Sequence, residues 1–138
     1  IGFNAFSESN LATMDVVSGL GAGTGFMATI SAVTTKSTIT GVAGGTDFAV
    51  PGTLLTQGVI DSADFATAGT VTARAAILDA QGTAANTVFV FEAVNKSYLF
   101  IQGGASGTAD DLIVNIGAGD TGVAGLTLAV GSASITLA

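Results

Sequence analysis

Hydrophobic residues in this chain gather into short runs separated by Gly, Asn, Asp and Ser, most densely between Thr87 and Ile116. Val88-Phe89-Val90-Phe91, Tyr98-Leu99-Phe100-Ile101 and Leu112-Ile113-Val114-Asn115-Ile116 are each the length of a strand and rich in β-branched and aromatic residues, which pack well on a pleated surface. Val94-Asn95-Lys96 reads as a tight hairpin turn, and Gly103-Gly104-Ala105-Ser106-Gly107 as a longer connection. The three runs predict an antiparallel meander. Side chains alternate between the faces of a strand, so Phe89 and Phe91 oppose Val88 and Val90, and Tyr98 and Phe100 oppose Leu99 and Ile101. Both faces are apolar. A strand with one wet face alternates cleanly between apolar and polar, so each face of this meander needs a cover: a helix, a second sheet or a neighbouring molecule.

Further short runs flank the meander. Met14-Asp15-Val16-Val17, Phe26 to Val33, Lys36 to Val42, Phe48-Ala49-Val50, Thr53 to Ile60, Leu126 to Val130 and Ser134 to Leu137 are strand candidates, with Pro51 closing the fourth. The pattern changes between Thr70 and Gln81, where Val71, Ala75 and Leu78 recur at helical spacing in an Ala-rich stretch and Gly82 stands where a helix stops. Asp61 or Ser62 could cap an earlier helical turn. The reading is a mainly β protein, an antiparallel sandwich or roll, with one short helix over about 70–81. Residues 1–10, which hold Phe3 and Phe6 in a polar setting, form an arm or edge strand, and 11–138 form a single β-rich domain.

Composition sharpens this picture. Only 9% of the 138 residues are charged, against about 25% in ordinary soluble proteins, so much of the surface is Thr, Ser, Ala and Gly. Few charges then repel neighbouring copies or protect sheet edges. The net charge of −7, with Lys36, Arg74 and Lys96 as the cations, argues against nucleic acid, which requires a basic footprint. There is no Cys and no His, which removes thiolate chemistry, disulfides and the commonest general base and transition-metal ligand. No apolar stretch is long enough for a membrane-spanning helix. The chain begins at Ile without a signal-peptide pattern, which suggests a processed form or a piece of something longer.

Carboxylates are the remaining candidates for chemistry. Asp110 and Asp111, beside Gly107 and Thr108, could offer oxygen ligands to a hard cation such as Ca²⁺. Asp61 and Asp64 are spaced to share one side of a helical turn, and Asp47 is a loop acid. Asp also serves routinely in caps and turns. No Trp and a single Tyr leave little for a sugar platform, and the chain reads as non-enzymatic.

In order, Asp61 to Phe65 (D-x-x-D-F), the Ala-rich Arg74 to Gln81, the hairpin Phe91 to Ile101, Asp110 to Ile116 and the closing Ser134-Ile135-Thr136-Leu137-Ala138 resemble the C-terminal region of RTX-type proteins exported by Gram-negative type I secretion, particularly S-layer proteins and their relatives. The RTX repeat that binds Ca²⁺ is represented by one degenerate copy, Gly44 to Val50 with Asp47, which lacks its third Gly. One copy does not form the stacked roll of that family. The resemblance implies export, a β-rich fold and an extracellular or cell-surface assembly.

The leading expectation is thus an extracellular structural subunit that self-assembles into a lattice or filament by strand addition, with Phe3, Phe6, Phe89, Phe91, Tyr98 and Phe100 as assembly residues and copies of itself as partner. One alternative is a C-terminal secretion module whose last strands carry an export signal. Another is a calcium-dependent adhesive module that uses Asp47, Asp61, Asp64, Asp110 and Asp111, with cell-surface polysaccharide as a candidate ligand.

Overall fold

A computed structural model of the chain describes residues 2–3, 8–18, 25–28, 54–58, 60, 65, 67–80, 85, 87–118, 125–129 and 134–137. Among these, the strands are β1 (Gly2–Phe3), β2 (Asp15–Val16), β3 (Gly25–Ala28), β4 (Leu54–Gly58), β5 (Val88–Ala93), β6 (Lys96–Ile101), β7 (Leu112–Ala118), β8 (Gly125–Ala129) and β9 (Ser134–Leu137), with one helix, α1 (Val71–Asp79). The protein is mainly β. Strand candidates at Lys36 to Val42 and Phe48 to Val50, the caps Asp61 and Ser62, and Gly82 lie outside the described residues.

The strands form two sheets, ordered β1-β3-β9-β8-β4 and β2-β7-β6-β5. The meander of β5, β6 and β7 is antiparallel as expected. Two pairs are not: β1 runs parallel to β3, and β2 parallel to β7. Both sheets are therefore mixed, each antiparallel save for one parallel pair at β1 or β2. The second parallel pair has a visible cause. Ser9 is fully buried, accepts the Ile113 N–H through its carbonyl at 2.9 Å and donates its hydroxyl to the Ile113 carbonyl. The Asn10 side chain accepts the N–H groups of Ala12 and Thr13 in an Asx turn. That turn brings the Asp15 N–H back to Ser9 Oγ at 3.0 Å, and the Val17 N–H reaches the Asn115 carbonyl at 2.8 Å. The chain thus enters beside Ile113 and leaves beside Asn115, in the direction of β7.

Register sorts the meander side chains into two faces. Phe89 opposes Phe100, which opposes Ile113; Phe91 opposes Tyr98. This face packs with Ile60, Phe65, Ala75 and Leu78, so α1 and the chain leading to it supply its cover. Phe91 stacks on Tyr98 with centroids 5.3 Å apart and meets Phe65 edge-on at 6.0 Å, geometries that aromatic quadrupoles favour. On the other face, Val88, Val90, Leu99, Ile101, Leu112 and Val114 are equally buried.

Thr70 caps α1, its hydroxyl oxygen accepting the Ala73 N–H at 3.1 Å. At the β5–β6 tip the turn is two residues, Val94 and Asn95, with φ of 51° and 57°. Asn tolerates this left-handed region, whereas β-branched Val is strained in it. The left-handed pair matches the right-handed twist of a hairpin, and Val94 lies exposed at the tip.

Candidate functional site

The β6–β7 connection, Gln102 to Asp111, folds over the C-terminal end of α1. Three alternate N–H groups of this loop each bind one carboxylate oxygen. Gly103 donates to Asp111 Oδ1 at 2.8 Å, Ala105 to Asp110 Oδ2 at 2.7 Å and Gly107 to Asp79 Oδ2 at 2.8 Å. The glycines fit local demands. A Cβ on Gly103 would collide with the Asp110 carbonyl and side chain, and Gly107 adopts φ of +97°. Gln102 Nε2 donates to the Asp79 carbonyl at 3.2 Å, tying the loop to the helix end. Asp79, Ala80 and residues 102–106 line a half-open cleft of about 330 Å³.

Asp111 is fully buried and Gln102 nearly so, yet Asp111 Oδ2, Gln102 Oε1 and the buried Asp79 Oδ1 have no hydrogen-bond partner. Buried acceptors without donors carry a desolvation penalty of about 1–3 kcal/mol each, more when charged. Burial pushes the Asp111 carboxyl up to about 6; the Gly103 N–H opposes the rise, and the charges of Asp79 and Asp110 add to it. The folded chain therefore holds this proton more tightly than the unfolded chain. The resulting stabilisation is full below the unfolded value of 3.8 and is lost as pH rises through about 6. Melting temperature in metal-free buffer should fall over that window, and Asp111→Asn should flatten the fall. Parallel pH profiles for the two proteins would contradict this assignment.

A second polar constellation closes the outer edge of β5. The Ile60 N–H donates to the Val90 carbonyl at 2.9 Å, and the Glu92 N–H donates to the Ile60 carbonyl at 2.8 Å. Arg74, buried on α1, donates Nη1 to the Glu92 carbonyl and Nε to the Ala68 carbonyl at 2.6 Å. Its guanidinium lies 5.0 Å from the centre of the Phe65 ring. A strand edge that would otherwise invite pairing is thereby occupied.

Of the acids expected to bind metal, Asp110 and Asp111 are brought to one loop, while Asp47, Asp61 and Asp64 lie outside the described residues. Of the expected assembly residues, Phe89, Phe91 and Phe100 are fully buried and Tyr98 is 5% exposed. The expectation that they await a neighbour is corrected: α1, Ile60 and Phe65 already pack on their face. Phe3 forms part of the edge strand β1, and Phe6 lies outside the described residues. Asp79, Gln102 and Arg74 were not anticipated. One signal did exist for Asp79, an acid in the last turn of a helix, where the helix dipole disfavours negative charge. None of the described helices is long and apolar enough to cross a membrane. No family model, curated protein or solved structure matches the chain.

Proposed function

We propose that the chain is a non-enzymatic extracellular structural subunit that joins copies of itself by strand addition at the edge of the five-stranded sheet. The observation that carries the reading is β1. Gly2–Phe3 completes this sheet as a two-residue parallel strand on β3, in the register Gly2 to Met27 and Phe3 to Ala28. So short a strand offers few main-chain hydrogen bonds, and an arm bound this way can be exchanged with a neighbour's at little cost. If that exchange is head to tail and does not close, it propagates into a filament or lattice. The scarcity of charge adds support, since little repulsion opposes association. The closed outer edge of β5 directs strand addition away from the meander.

Sedimentation velocity and negative-stain microscopy over rising concentration test this. The intact chain is expected to form oligomers or ordered polymers. Removal of residues 1–7, which leaves the Ser9 anchor in place, should return it to monomer. An intact chain that stays monomeric at high concentration, with and without calcium, would refute the reading.

A further inference from the structure

We infer that the β5–β6 hairpin tip of one copy, with Val94, Asn95 and Lys96, docks in the cleft at the end of α1 in the next copy, the Lys96 ammonium pairing with the Asp79 carboxylate. The contact rests on the reading of the chain as a self-assembling subunit but uses a surface other than β1. Asp79 is half-buried in the last turn of α1 and lines the cleft. It spends Oδ2 on the Gly107 N–H at 2.8 Å, and its Oδ1 has no donor. Gln102 lines the same cleft and is 4% exposed. Its Nε2 is turned to the Asp79 carbonyl, which leaves Oε1 without a donor as well. A single carboxylate with acceptor capacity to spare calls for one positive charge rich in donors, and an ammonium carries three N–H groups.

The chain itself carries a cation of that kind. Lys96 is exposed at the start of β6, whereas Arg74, the other described cation, is buried and engaged with Ala68, Glu92 and Phe65. The tip beside Lys96 has the marks of a contact. Val94 is 65% exposed and held at φ of 51°, a conformation in which a β-branched residue is strained and Gly or Asn is relaxed. Strain kept at an exposed apolar residue points to use rather than to turn stability. In the cleft, Gly103, Gly104 and Ala105 are small enough to admit such a tip. Lys96 opens β6 and Gln102 follows its last residue, so tip and cleft lie roughly 20 Å apart at the rise of a strand, beyond the reach of a lysine side chain. Lys96 therefore serves the cleft of another copy. A contact between two different patches is head to tail, and it propagates unless its rotation closes a ring.

The test mixes isotope-labelled and unlabelled full chain, lets the mixture assemble, and treats it with a carbodiimide, which joins an ammonium to a carboxylate only where the two touch. Mass spectrometry of the digest should find Lys96 joined to Asp79 across labelled and unlabelled copies. Lys96→Glu should raise the concentration for half-assembly at least about fivefold. Asp79→Lys alone should do the same, and an equal mixture of the two variants should recover assembly, because each tip then meets a cleft of opposite charge. If Asp79→Lys does not fold, the crosslink and Lys96→Glu still decide. Polymers without the crosslink, a crosslink to Asp79 from Lys36 in place of Lys96, or Lys96→Glu copies that assemble like the parent would overturn this contact and leave strand addition at β1 standing. A chain that stays monomeric would remove both.

Discussion

Deleting Ser134–Leu137 is expected to abolish the five-stranded sheet rather than trim it. These residues form β9, which lies between β3 and β8. Gly25, Phe26 and Met27 of β3 pair with Thr136, Ile135 and Ser134, while Leu126, Thr127 and Leu128 of β8 pair with Leu137, Thr136 and Ile135. Without β9, β1 and β3 become separated from β8 and β4, and both new edges expose unpaired main-chain groups. A two-stranded remnant is marginal in water at best. Circular dichroism should show a loss of strand signal, and hydrogen exchange should show loss of protection across β3 and β8. A truncated chain that melts with the intact one would disprove this account. The same geometry bears on a C-terminal export signal, because truncation here removes a structural strand together with any signal. An export assay must keep the strand paired to be informative.

Arg74→Ala should destabilise the chain by about 3 kcal/mol or more, with hydrogen bonds to a charged group contributing about 1.5–3 kcal/mol each. The substitution removes donors from the Ala68 and Glu92 carbonyls and the cation above Phe65, and it hollows the junction between α1 and β5. Arg74→Lys should recover only part of the loss, since an ammonium lacks the planar fork that spans two carbonyls. Chemical denaturation of the three proteins measures this directly. Equal midpoints for the alanine variant and the parent would show that the guanidinium contributes nothing net.

How much of this was legible in the sequence depends on the range of the interaction. The meander was readable because its signals are local: β-branched and aromatic runs, and Asn95 at the hairpin tip. The helix was readable from the spacing of Val71, Ala75 and Leu78, although it spans 71–79 rather than 70–81. The parallel placement of β2 was not readable, because it depends on Ser9 finding Ile113 across the chain. The acidic loop was half readable. Asp110 and Asp111 are adjacent in sequence, whereas Asp79 reaches them only through folding. Both faces of the meander read as apolar, but a hydrophobic pattern does not name the covering partner: α1, Ile60 and Phe65 cover the face of Phe89, Phe100 and Ile113.

Ile60 has a mechanical consequence. Gly58 pairs with Gly125 in one sheet, and Ile60 pairs with Phe91 in the other, so one intervening residue links the two ladders. Tension applied along the backbone at β4 would be transmitted through the pair of hydrogen bonds that Ile60 makes with Val90 and Glu92. Under load, that junction is the natural fuse: it would give way before the multi-residue ladders on either side, and let the chain lengthen in a step while both sheets stay whole.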